Sequence, residues 1–215
     1  YTLEVTNPGG HSSRPRPDNA IYRLSAGLAR LEAYAFPAEI NPVTRAFFER
    51  MAPIIGEEMG AAMAALARDP SDAQALAIVA RDPSFNAMMR TTCVATQLDA
   101  GHAPNALPQR ARATLSCRVM QSATPEQVRD MLQAVMADPH IRVEIVRRRN
   151  PSPAPPLTRA ILGPVERVVG ELWPGTPSVP VMLAGASDGR FLNSAGIPTY
   201  GMSGIFSVPG ETNAH

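Results

Sequence analysis

Residues 110–119 alternate strictly. Ala111, Ala113, Leu115, Cys117 and Val119 fall on one side, and Arg112, Thr114, Ser116 and Arg118 on the other. A two-residue period is that of a strand with one buried face, so Gln109–Met120 is the clearest strand in the chain. Tyr1–Thr6 and Ile141–Val146 alternate in the same way. Asn86–Leu98 has β character through Thr91, Thr92, Val94 and Thr96. Between these runs the period lengthens. Ile21, Leu24, Leu28 and Leu31 follow helical spacing to about Tyr34, with Asp18 placed to cap. Thr124-Pro125-Glu126-Gln127 is a capping box with proline at the first helical position. Val128, Met131, Leu132 and Val135 then form an inward helical face.

The stretch from Phe36 to Ser84 has a different texture. Short Ala- and Met-rich pieces such as Met59–Ala67 are punctuated by Pro37, Pro42, Pro53, Pro70 and Pro83. This reads as an insertion of small helices at about residues 37–85, its Met and Ala stripes serving packing. With the insertion set aside, the order is strand, helix, strand, strand, helix, strand. That βαββαβ pattern predicts an α+β unit, a four-stranded antiparallel sheet with two helices on one face. The proline-rich run after Arg147-Arg148-Arg149 reads as a stiff linker. It separates a first domain, 1–150, from a second, 151–215. In the second, Thr158 can cap a helix carrying Ile161, Leu162, Val165, Val168 and Leu172. Ser178–Leu183 and Ile197–Gly201 read as strands, with a helix ending at Ser194 between them. This α/β segment is small for an independent domain, and the chain reads as a piece of a longer one.

Composition narrows the function classes. A net charge of +1 gives no global pull toward nucleic acid or an acidic membrane, and the arginine run reads as a solvated strand end. No apolar run has the length of a membrane helix. All 20 basic residues are arginine, the side chain suited to bidentate carboxylate binding. Cys93 and Cys117 lie far apart and form no CxxC pair, so they read as free thiols. The compartment stays open.

Three features carry chemistry. His11 sits in Gly9-Gly10-His11-Ser12-Ser13-Arg14-Pro15, a tight loop between a strand and a helix. Asn105 lies in the loop before the clearest strand, and Arg118 on that strand's polar face; an amide there can donate to an oxyanion and a guanidinium can clamp a carboxylate. His102, in the same loop, reads as a loop residue. The third feature is Gly185-Ala186-Ser187-Asp188-Gly189, which has the Gly-x-Ser-x-Gly form of a nucleophile elbow. Taken literally it offers a serine hydrolase built on Ser187, His215 and Glu211, but no glycine-rich oxyanion loop precedes it. His215 alone makes no metal site, which takes three or four ligands.

Together these segments resemble the zinc-dependent M20 metallopeptidase family. Gly9–Pro15 with Asn19-Ala20-Ile21 is similar to the family's Gly-Gly/Ala-His-Ser…Asn-Ala segment. Asn105-Ala106-Leu107-Pro108 with Arg118 resembles its Asn-Val-Ile-Pro…Arg segment. Ala186-Ser187-Asp188-Gly189-Arg190-Phe191 with Gly196-Ile197-Pro198 resembles Gly-Thr-Asp-x-Arg…Gly-Ile-Pro. Asn213-Ala214-His215 looks like the start of a final His-Gly element, and the helical insertion resembles the carboxypeptidase S and PM20D1-like branch. The resemblance implies a lid, or dimerisation, domain at 1–150 and part of an α/β zinc-peptidase catalytic domain at 151–215. It implies His11 as a catalytic donor to the scissile carbonyl in the partner subunit, Asn105, Arg118 and Arg190 as substrate-binding residues, and His215 as a zinc ligand. It further implies two zinc ions in the intact enzyme, a homodimer formed through the lid, and small peptides or N-acyl amino acids as substrates. Most metal ligands have no counterpart in these residues, so the fragment alone is expected to be inactive and to lack zinc. A non-catalytic dimerisation or ligand-binding module, and the Ser187 hydrolase, are the alternatives.

Overall fold

The computed structural model describes residues 1–148, 152, 154–183, 185 and 187–202. In chain order the elements are β1 (Thr2–Thr6), β2 (Gly10–His11), α1 (Ala20–Glu32), α2 (Pro42–Met51), α3 (Glu57–Arg68), α4 (Ala73–Val79) and α5 (Pro83–Met89). There follow β3 (Thr92–Ala100), β4 (Ala106–Leu107), β5 (Arg110–Arg118), α6 (Pro125–Met136), β6 (Arg142–Glu144), α7 (Arg159–Leu172) and α8 (Gly189–Ser194). The chain divides into two compact units, residues 1–37 with 90–151, and residues 38–89 with 152–215.

The first unit is the α+β sheet the alternation predicts. Its four strands run in the order β3-β5-β1-β6, every neighbouring pair antiparallel. Leu3 and Val5 of β1, Ala111, Ala113 and Leu115 of β5 and Val143 of β6 turn to one face. Leu24 and Leu31 of α1 and Val128, Leu132 and Met136 of α6 close over them. This alternation buries one face of β1, β5 and β6, while β3 at the sheet edge has no buried residue. On the polar face Glu4 accepts hydrogen bonds from Arg110 at 2.8 Å and Arg142 at 3.2 Å.

Several local expectations are corrected. Asn19 caps α1: its Oδ1 accepts from the backbone N–H groups of Ile21 and Tyr22. Asp18 instead pairs with Arg23 at 3.0 Å, and Arg23 reaches on to Asp138 at 2.9 Å, tying α1 to the loop after α6. Ile21 faces out, and Ala20 and Gly27 take the inward positions. Asn86–Met89 is helical, because Asp82 accepts from the N–H groups of Ser84 and Phe85 and starts α5. The capping box at Thr124 forms as expected.

The largest correction concerns the two cysteines. Cys93 and Cys117 are bonded in a disulfide. Their separation of 24 residues hides that β3 and β5 set them directly opposite, with Cα atoms 4.1 Å apart.

The second unit is built on α2 to α5, where Phe48, Met63, Leu66, Val79 and Met89 are fully buried. The sequence counts this helical segment within 1–150; in the structure it clusters with the chain from 152 onward. Arg50 bonds the Ser178 carbonyl at 2.5 Å and Glu166 of α7 at 2.8 Å, and Val179 packs against the helical core. Thr158 precedes α7 but makes no side-chain cap bond. Ser178–Leu183 and Ile197–Gly201 are not strands among the described residues. Pro180 removes a ladder donor from the first, and Pro177 stands just before it. The second folds back on α8, with the Thr199 N–H on Asn193 Oδ1 at 2.7 Å and the Ile197 N–H on the Leu192 carbonyl at 2.9 Å.

Two carboxylates make the first unit acid-sensitive. Burial pushes the Glu4 carboxyl up, but the bonds from Arg110 and Arg142 outweigh it and hold it below its ordinary value. Burial also pushes Asp138 up, and the His140 N–H with Arg23 brings it down to a net lowering. A carboxyl lowered in the folded state contributes stability above its unfolded value and loses it as pH falls through the folded one. The thermal midpoint of the chain is therefore expected to drop as pH is lowered below about 4. Glu4→Gln with Asp138→Asn should flatten that slope in a pH series of melts; an unchanged slope would assign the acid sensitivity elsewhere.

Candidate functional site

The loop around His11 is shaped by its neighbours before any chemistry is considered. Asn7 Oδ1 accepts from the Gly9 N–H at 2.8 Å, while Asn7 Nδ2 donates to the Asp18 carbonyl at 3.3 Å. One side chain thus holds both ends of the loop. Gly9 and Gly10 then adopt φ of +73° and +153°. A Cβ on Gly9 would lie 2.6 Å from Gln109 Cγ and 3.2 Å from the Leu107 carbonyl oxygen, so backbone passes backbone where only glycine fits.

That close passage forms a second, two-stranded ribbon. In it β2 pairs antiparallel with β4, Gly10 opposite Leu107 and His11 opposite Ala106. The Ser12 N–H continues the pairing, donating to the Asn105 carbonyl at 2.9 Å. The backbone segments that carry His11 and Asn105, far apart in sequence, are therefore paired, His11 opposite Ala106 and Ser12 bonded to Asn105. His11 and Asn105 are both exposed. In the sequence the segment around Asn105 reads as a plain loop, because a two-residue strand is too short to show a period.

Past the ribbon the His11 carbonyl accepts from the Arg14 N–H at 3.0 Å, a turn that folds Ser13 back onto the imidazole. The Ser13 N–H donates to His11 Nδ1 at 3.2 Å, and Ser13 Oγ lies 2.8 Å from the same nitrogen. Nothing in the spacing of the loop singles out Ser13; the contact shows only in the fold.

Arg118 is exposed at the other end of β5, opposite Thr92. The ribbon lies beyond the Arg110 end, and the eight steps from Arg110 to Arg118 span about 26 Å at roughly 3.3 Å per residue. The structure does not bring Arg118 to His11 and Asn105 within one chain. In the second unit Arg190, in the first turn of α8, lays its guanidinium over the Phe191 ring, 4.4 Å from the centroid. His215 and Glu211 lie outside the described residues, so the Ser187 arrangement has no geometry to examine. Among the described residues no group of three or more His, Cys, Asp or Glu side chains is placed to hold a metal ion. No described helix is long and apolar enough to cross a membrane.

Residues 1–144 match the family model described as "Peptidase dimerisation domain" of the M20 peptidases. The chain belongs to the M20 peptidase family. An M20 relative, "N-fatty-acyl-amino acid synthase/hydrolase PM20D1" of Mus musculus, is 28% identical over 166 residues, covering 75% of this chain and 32% of that protein. "Probable carboxypeptidase S-like 2" of Dictyostelium discoideum is 25% identical over 194 residues, covering 87% of this chain and 36% of its own length. The chain thus spans about a third of the length of these relatives. Among solved structures, an M20 family metallo-carboxypeptidase, Sso-CP2 from Sulfolobus solfataricus, superposes with a TM-score of 0.55. It is 15% identical, and the match covers 91% of this chain and 55% of that one, so the likeness speaks for the fold. The M20 assignment carries the metal-dependent character of the family, while the described residues supply no metal site.

Proposed function

We propose that this chain is the dimerisation lid, 1–150, with part of the catalytic domain, 151–215, of a zinc-dependent M20 amidohydrolase. The bond cleaved is the amide of a small peptide or an N-acyl amino acid. The observation that carries this reading is the ribbon that pairs the His11 segment with the Asn105–Leu107 segment, in a chain that matches the family's dimerisation domain. The printed names of the relatives, a fatty-acyl-amino acid hydrolase and a carboxypeptidase S-like protein, supply the substrate class. Zinc is the metal of this reading, with His215 as one ligand. The described residues do not assemble its site.

What this chain's own residues do follows from their chemistry. His11 donates a hydrogen bond to the scissile carbonyl and strengthens that bond as negative charge develops on the oxygen. Asn105, its ribbon neighbour, donates from its amide to the same substrate. Arg118 and Arg190 hold the substrate carboxylate, the role for which a planar guanidinium is suited.

The separation of about 26 Å along β5 is too large for His11 and Arg118 of one chain to meet on one small substrate. A two-fold dimer resolves this by sending His11 and Asn105 into the partner's site while Arg118 serves its own. The lid offers a surface for that pairing. β3 is an edge strand with Val94 60% and Leu98 64% exposed, and Tyr22 on α1 is 70% exposed.

The full-length protein is expected to release free amino acid from N-acyl amino acids, and a chelator should abolish the release. A full-length protein that binds no zinc and hydrolyses neither these nor dipeptides would leave the non-catalytic dimerisation module as the better reading. Labelling of Ser187 by a serine-directed probe would instead revive the serine hydrolase.

A further inference from the structure

We infer that Ser13 is a positioning residue that fixes the tautomer and rotation of the His11 ring, so that Nδ1 is the acceptor and Nε2 carries the proton aimed outward. A backbone N–H only donates, and the Ser13 N–H points at Nδ1 from 3.2 Å. A proton on Nδ1 would face that N–H head on, so in the neutral ring Nδ1 holds its lone pair. The Ser13 hydroxyl, 2.8 Å from the same nitrogen, is then a second donor to it. The remaining ring proton sits on Nε2, away from the loop. An imidazole whose other nitrogen is satisfied in this way is committed to donation at its free edge, as an orienting partner commits the histidine of a catalytic triad.

The device is local. The turn closed by the Arg14 N–H on the His11 carbonyl folds Ser13 back, and the Ser12 N–H on the Asn105 carbonyl anchors that turn to the ribbon. Both ends of the ring's support are therefore backbone. The hydroxyl is the one part a side-chain substitution can remove without disturbing the turn. Its catalytic meaning rests on the proposed role of His11; the tautomer itself is a property of this chain.

The test has two arms. In the first, the ring nitrogens of His11 are read by long-range proton–nitrogen correlation NMR on the labelled 215-residue chain, at about pH 8.5, above the ordinary imidazole range. Wild type is expected to show a pyridine-type Nδ1 and a pyrrole-type Nε2. Ser13→Ala, which keeps the backbone donor and loses the hydroxyl, should shift both part of the way toward averaged values, and Ser13→Thr should restore them. In the second arm, Ser13→Ala in the full-length enzyme is expected to lower kcat about tenfold with KM little changed, and Ser13→Thr to recover it. A protonated Nδ1 in wild type, or a Ser13→Ala spectrum identical to wild type, overturns the inference whatever the activity. An inactive full-length protein with the expected nitrogen pattern overturns the hydrolase reading and leaves the tautomer assignment standing.

Discussion

His11→Ala in the full-length protein is expected to lower kcat about 10²- to 10³-fold, the loss typical of removing one donor to a developing oxyanion. Zinc content and the melting temperature should stay at wild-type values, since His11 is exposed and outside the core. The sharper form of the experiment uses two dead variants. Arg118→Ala alone should also fail, by losing the substrate carboxylate. Coexpressed with His11→Ala, it should restore activity to about a quarter of wild type in a two-fold dimer. Half of the randomly formed dimers then carry one variant of each kind. In these, one of the two sites receives an intact His11 from across the interface and keeps its own Arg118. If both residues acted within one chain, every mixed dimer would be dead and no activity would return. The result therefore decides between arrangements that either single variant leaves equivalent.

Reduction of the Cys93–Cys117 disulfide is expected to be the largest stability change available without touching the core. Cross-linking a loop of this length removes unfolded-state entropy worth about 3.5 kcal/mol in the chain-entropy account. For a unit near 100 residues that corresponds to a fall of roughly 15–25 °C in thermal midpoint. Melts with and without dithiothreitol measure it, and Cys93→Ala with Cys117→Ala should melt where the reduced wild type does. Equal midpoints under oxidising and reducing conditions would show that the thiols are not paired in solution. The site of the bond adds a local consequence. It joins edge strand β3 to β5 one residue from Arg118, so reduction should loosen that end of the sheet first.

The sheet was legible because its strands alternate and its helices do not. Ala111, Ala113 and Leu115, or Val128 and Leu132, announce their faces without help, and the βαββαβ order follows from them. What escaped was set by partners distant in sequence. Cys93 and Cys117 look unrelated until β3 and β5 are in register. Gly10-His11 and Ala106-Leu107 are each too short to carry a period, yet their pairing joins the His11 loop to the segment that follows Asn105. At the start of α1 two good capping residues stand side by side, and the choice of Asn19 over Asp18 is settled by Arg23 claiming the aspartate. In the second unit, prolines at 177 and 180 defeat an apolar run that otherwise reads as a strand. The candidate site was legible as a set of residues through their likeness to a family, but not as a geometry. The length of β5 could be counted from the sequence, but only the pairing of β2 with β4 places His11 beyond its Arg110 end, away from Arg118.

Gly9 and Gly10 have a bearing on descent. Their constraint comes from Gln109 and Leu107 crowding the backbone, and no substrate or metal enters into it. On the proposed role of His11, selection for a folded lid alone would therefore retain the glycine pair, while only selection for turnover would retain the histidine beside it. In a lineage that gave up hydrolysis and kept the assembly, the imidazole would drift first and the two glycines last. A Gly-Gly followed by something other than histidine would then mark a lid that has outlived its chemistry.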